Sequence, residues 1–134
     1  MLSAPVAALN SNMFSERLLD HFQHPRNAGT LPSANVKIEV INPVCGDILQ
    51  LAAQIENNVV KEIRFLCRGC TASIACASLL TESARGKELN ELSSMTPESL
   101  AESLGGIEPA SFHAANLAHD ALQSLILEAN KAKL

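Results

Sequence analysis

The stretch Ile48–Cys67, ILQLAAQIENNVVKEIRFLC, decides the fold. Leu49, Leu51, Ala53 and Ile55 recur at every second position, as do Ile63, Phe65 and Cys67 further on. A period of two places each set on one face of an extended chain, so the stretch reads as two strands. Glu56-Asn57-Asn58 lies between them, and paired asparagines tolerate the left-handed backbone of a tight hairpin. Upstream, Val36, Ile38 and Val40 alternate with Lys37 and Glu39, which predicts a third half-buried strand. Three consecutive strands with short connections imply an antiparallel meander.

On both sides of the strands the period turns helical. Between Phe14 and Phe22, Phe14, Leu18, Leu19 and Phe22 share one face of a predicted helix. Ser15 or Asn12 would cap its start, His24-Pro25 ends it, and Asn27-Ala28-Gly29 forms a turn. After Cys70 a helix is predicted over Ala72 to Arg85, with Gly86 as its stop. Thr96-Pro97-Glu98 opens a short helix that closes at Gly105-Gly106. The last helix follows Pro109 and buries Ala115, Ala118, Leu122, Leu125, Ile126 and Ala129. The fold class is therefore α+β, a three-stranded antiparallel sheet with helices packed on one face. Residues 13–134 form a single domain, and residues 1–12 read as a flexible tail.

Composition narrows the function. With 134 residues, 47% hydrophobic and 18% charged, the chain is one folded domain and not a disordered one. No apolar run approaches the roughly 20 residues that span a bilayer. Ten Lys and Arg against fourteen Asp and Glu give a net charge of -4, which argues against nucleic acid as a partner. Aromatic content of 3%, with neither Trp nor Tyr, removes stacking platforms for bases. The first dozen residues lack the basic start and apolar core of a secretion signal, and the arginines of a mitochondrial presequence. The expected location is the cytoplasm, where Cys45, Cys67, Cys70 and Cys76 stay reduced.

Reactive residues fall at chain reversals. Asn42-Pro43-Val44-Cys45-Gly46-Asp47 joins the first two strands and presents a thiol and a carboxylate two residues apart. Cys70 sits where the third strand gives way to a helix, whose positive end favours a thiolate, the form that binds metals. His113 opens the last helix. If these reversals converge, Cys45, Asp47, Cys70 and His113 form a mixed soft and hard donor set suited to zinc or iron. Taken singly, Asp47 reads as a turn cap ahead of a ligand, and His113 as a helix-start residue ahead of one; beside Cys45 and Cys70 the ligand reading of His113 leads. Cys76, about 9 Å along the helix from Cys70, reads as a core thiol. Cys67 makes a Cys-x-x-Cys with Cys70, yet its strand parity with Ile63 and Phe65 points to the sheet's packed face. His21, His24 and His119 read as surface or packing residues, and Arg85-Gly86-Lys87 as a basic helix end.

From about Phe14 to Ala129 the sequence resembles the NifU/IscU iron–sulfur cluster assembly scaffolds. SERLLDHFQHPRNAGTL is similar to the family's opening helix and HPRN-type turn; NPVCGD is similar to its first ligand motif. GCTASIACASLLTESARGK, Gly69 to Lys87, is similar to the second motif and the helix after it. The resemblance implies a metal and cluster site at Cys45, Asp47, Cys70 and His113, holding iron or a [2Fe–2S] cluster, with zinc as a possible occupant. It implies sulfide delivery by a cysteine desulfurase, transfer to recipient iron–sulfur proteins, and no catalytic step in the scaffold itself. Two departures stand out. The family's His-Cys pair reads His113-Ala114 here, so one ligand thiolate is missing. The Leu-Pro-Pro-Val-Lys run that binds a dedicated chaperone reads Ile107-Glu108-Pro109-Ala110-Ser111, so the resemblance does not extend to that partner. The other functions compatible with these residues are a zinc-binding sulfur acceptor of the same fold and a degenerate interaction module.

Overall fold

The computed structural model describes residues 14–134; the predicted tail, residues 1–12, lies outside the described residues. Strands β1 (Val36–Ile41), β2 (Ile48–Glu56) and β3 (Val59–Arg68) form a three-stranded antiparallel sheet in that order. The hairpin between β2 and β3 turns on Asn57 and Asn58, at φ 53° and 68°, the left-handed region that asparagine tolerates. Alternation decides the packed face. Val36, Ile38, Leu49, Leu51, Ala53, Ile55, Val60, Ile63 and Phe65 are buried, while Lys37 and Glu39 face outward.

Helix α1 (Glu16–Gln23) is capped by Ser15, whose hydroxyl accepts from the Leu18 N–H at 3.0 Å, and His24 ends it. Its buried residues differ from the predicted stripe. Leu18 and His21 are buried, whereas Phe22 is exposed, because α1 packs on a helix and not on the sheet. His21 is held there by a polar contact, its Nδ1 lying 2.8 Å from the Ser78 hydroxyl. Ser78 also accepts from the Arg26 N–H at 2.8 Å, and the Thr81 hydroxyl donates to the Arg26 carbonyl. These bonds pin the His24–Gly29 turn to the helix beneath it. The turn continues onto the sheet edge: Gly29 N–H donates to Phe65 O, and Phe65 N–H donates to Asn27 O, both at 2.9 Å.

Helix α2 (Thr71–Ala84) runs through the centre, contacting α1, β3 and the C-terminal helix. Small residues, Ala72, Ser73, Ala75, Cys76, Ala77 and Ser78, are buried along it, which lets neighbouring elements approach closely. Arg85-Gly86-Lys87 does more than complement a dipole. Gly86, at φ 83°, donates to Val60 O and Lys87 O accepts from Val60 N–H, so the segment pairs with the start of β3. A short helix α3 (Leu89–Leu92), absent from the sequence expectation, follows with a Glu88/Glu91 capping box. Helix α4 (Pro97–Ser103) starts at Thr96 as predicted and gives way to Gly105 and Gly106, both at positive φ. A 3-10 turn (Pro109–Ser111) leads into α5 (His113–Lys131), which packs on β1, β2 and α2 through Ala115, Ala118, Leu122, Leu125, Ile126 and Ala129.

Candidate metal centre

Strand register brings the reactive reversals to one end of the sheet. Ile41 pairs with Ile48, and Ile48 pairs with Arg68, so the 42–47 loop and residues 69–70 are neighbours. Asn42 builds the loop: its side-chain oxygen accepts from Val44 N–H at 2.9 Å, and its carbonyl accepts from Gly46 N–H at 2.7 Å. Gly46 takes φ 78°, which costs little only for glycine. Because Asn42 closes the turn, Asp47 is free to point elsewhere. Cys70 is the N-cap residue of α2 and His113 the first residue of α5.

These positions converge. Donor atoms of Cys45, Asp47 and His113 lie within 4.8 Å of one another. Cys70 touches this set, its Sγ standing 3.7 Å from His113 Nε2. Cys45 and Cys70 are exposed, His113 is one-third exposed, and Asp47 is almost covered. Donors sharing a zinc ion at about 2.0–2.3 Å lie about 3.3–3.8 Å apart, a spacing comparable with that of Cys45, Asp47 and His113, whereas Cys70 lies outside this three-residue group and meets it at His113. Two thiols, an imidazole and a carboxylate are a chemically suitable set for zinc or iron.

The carboxylate is held in place before any ligand arrives. Burial alone would raise the Asp47 pKa. Hydrogen bonds from the Ser73 hydroxyl, the Cys70 backbone N–H and the Cys45 and Cys70 side chains outweigh that, and the net direction is down. The Ser73 bond is the short one, 2.6 Å to Asp47 Oδ2, against 3.4 Å for the Cys70 N–H. Gly69 completes the cradle: a Cβ there would lie 2.8 Å from both Cγ and Oδ2 of Asp47. Neither Ser73 nor Gly69 stood out in the sequence. The available signal was the i, i+3 spacing of Cys70 and Ser73, which puts both on one side of a helix start.

The remaining cysteines stay apart from the donor group. Cys76 is fully buried, and burial pushes its thiol up to about 12. Cys67 packs against the core, and burial, then the nearby Asp47 and Cys70, push it up to about 12 as well. Cys76 is a core thiol, as its helix position indicates, and Cys67 is a half-buried thiol on the packed side of the sheet, as strand parity indicates. Ala114 is fully buried in α5 and offers no ligand. His119 stands 3.4 Å from Gln123 on α5, and His24 is the exposed cap of α1.

Comparison with known proteins gives this geometry a family. The profile of the NifU-like N terminal domain matches residues 13–133. "Iron-sulfur cluster assembly scaffold protein IscU 1" of Archaeoglobus fulgidus is 40% identical over 87% of this chain and 76% of its own length. "Iron-sulfur cluster assembly scaffold protein IscU" of Aquifex aeolicus is 37% identical over 84% of this chain and 73% of its own. In fold, the chain matches a putative iron-sulfur cluster assembly scaffold protein for the SUF system from Fervidobacterium islandicum, with a TM-score of 0.65 at 18% identity. That match covers 84% of this chain and 96% of the other. On the family profile and these relatives, the chain belongs to the NifU-like N terminal domain family.

Proposed function

We propose that this protein is a scaffold on which iron and sulfide are assembled into a cluster and handed to recipient proteins. The observation that carries the reading is the convergence of Cys45, Asp47 and His113 within 4.8 Å, with Cys70 beside the histidine. Its relatives named as cluster assembly scaffolds support the same function. The cargo is a [2Fe–2S] cluster or its iron precursor, bound through Cys45, Cys70, Asp47 and His113. Sulfide comes from a cysteine desulfurase, and the chain itself turns over no substrate. Exposure of Cys45 and Cys70 suits both loading and release, since a partner can reach either sulfur. All four cysteines are free thiols, consistent with a reducing compartment such as the cytoplasm. With only two thiolates in the set, the cluster is held less tightly than by three or four.

Anaerobic reconstitution with iron, cysteine and a desulfurase tests the reading. Visible iron–sulfur absorption is expected in the wild type and absent from a Cys45→Ala/Cys70→Ala double variant. Equal, background absorption in both would defeat it. The mixed donor set also favours zinc as a resident at the same four residues. Metal analysis of protein purified without oxygen separates the two: stoichiometric zinc that resists displacement by iron and sulfide would favour the zinc reading.

A further inference from the structure

Ser73 is a buried hydroxyl placed between two members of the donor group. Its side chain lies on the first turn of α2, 1% exposed, with its proton directed at Asp47 Oδ2 2.6 Å away. Its oxygen also stands 3.3 Å from Cys70 Sγ. The hydroxyl carries one proton, and an ionised carboxylate can only accept. Donation to Asp47 therefore leaves the Ser73 oxygen with lone pairs only on the side that faces Cys70. Gly69 leaves the space that the Asp47 carboxylate fills, since a Cβ there would lie 2.8 Å from it.

We infer that Ser73 is a positioning residue, and that its hydrogen bond to Asp47 sets how tightly the site retains its metal cargo. This rests on the proposed scaffold reading. An unheld carboxylate at the mouth of a loop samples several rotamers, and each ligation event must then freeze one. Ser73 fixes the rotamer in advance with a charge-assisted bond, which is shorter and stronger than a neutral one. Partners that orient a ligand in this way are worth about 10–100-fold in metal affinity. Ser73 is not itself a ligand in this assignment; it acts through Asp47.

Cobalt(II) provides the probe, because its visible absorption reports four-coordinate binding without a cluster. Ser73→Ala is expected to bind cobalt about 10–100-fold more weakly than wild type. In an Asp47→Ala background the same Ser73→Ala change is expected to have no effect, whereas a general structural role would weaken both backgrounds alike. Ser73→Thr, which retains the hydroxyl, is expected to restore most of the affinity. Wild-type affinity in Ser73→Ala, or an equal loss in both backgrounds, overturns the inference; so does a wild type that binds no cobalt. Cobalt binding with this pattern, but no cluster on reconstitution, would instead remove the scaffold reading and leave Ser73's role intact. Should Ser73→Ala fail to fold, the wild type still decides. A Ser73 hydroxyl proton protected from exchange in its NMR spectrum supports the bond, and a rapidly exchanging one refutes it.

Discussion

Two pairs of cysteines divide this small protein. Cys45 and Cys70 are exposed among polar partners, while Cys76 is buried in the core and Cys67 is half-buried against it. Two residues, Arg68 and Gly69, separate Cys67 from Cys70, and the place of each in its element accounts for the difference. Cys67 points to the packed face of β3, whereas Cys70 lies past the strand's end at a helix cap. Reactivity here follows from where an element stops and not from the residue type. Burial holds Cys67 and Cys76 protonated, so they contribute volume, not ligands.

Thiol labelling is the strongest way to break this comparison. With Cys67 and Cys76 pushed up to about 12, roughly one part in 10,000 of either is thiolate at pH 8. Mass spectrometry after brief alkylation should find two adducts, on Cys45 and Cys70, in the native protein and four after denaturation. A third native adduct would show that Cys67 and Cys76 are not both sequestered. Gly69, between the two classes, gives the next largest effect. In Gly69→Ala the new Cβ must displace the Asp47 carboxylate from Ser73, lowering cobalt affinity about 10–100-fold with the thermal midpoint little changed. Unaltered affinity would mean that Asp47's position does not matter to binding. Cys76→Ser sharpens the contrast from the other side. It buries a hydroxyl in an apolar setting and should cost about 1–3 kcal/mol in urea unfolding, while cobalt affinity stays near wild type.

The sheet was legible because its signals are local: alternation marks the strands, and Asn57-Asn58 marks the turn. Family motifs pointed to Cys45, Asp47, Cys70 and His113 before any coordinates. Three features were not legible, each for a tertiary reason. Phe22 lies on the apolar face of α1 in periodicity, yet α1 docks on α2 through Leu18 and His21 and leaves it exposed. Helix α3 is too short to carry a period, and its capping box uses Glu88 in place of a hydroxyl. Ser73 looks like any small residue in an alanine-rich helix until the 42–47 loop folds over it.

His21 extends the comparison to a base. Burial, followed by the Arg26 charge, lowers its pKa below 6.5, outweighing the opposing pull of Glu82 and Asp20. As with Cys67 and Cys76, desolvation favours the neutral form; for a base that moves the pKa down. Neutral His21 fits its surroundings, with Nδ1 facing the Ser78 hydroxyl and Nε2 3.5 Å from Glu82. The unfolded chain binds this proton more readily than the folded one, so stability rises with pH between the two pKa values. His21's contribution is therefore complete above pH 6.5 and shrinks as pH falls from there through its folded value. Urea midpoints measured from pH 7.5 to 5 should drop across this window in the wild type. In His21→Gln, which cannot take up the proton, the drop should be smaller, although other groups continue to titrate. An identical pH slope in the two proteins would show that His21's burial leaves its proton affinity unchanged, and that only the thiols are tuned by the core.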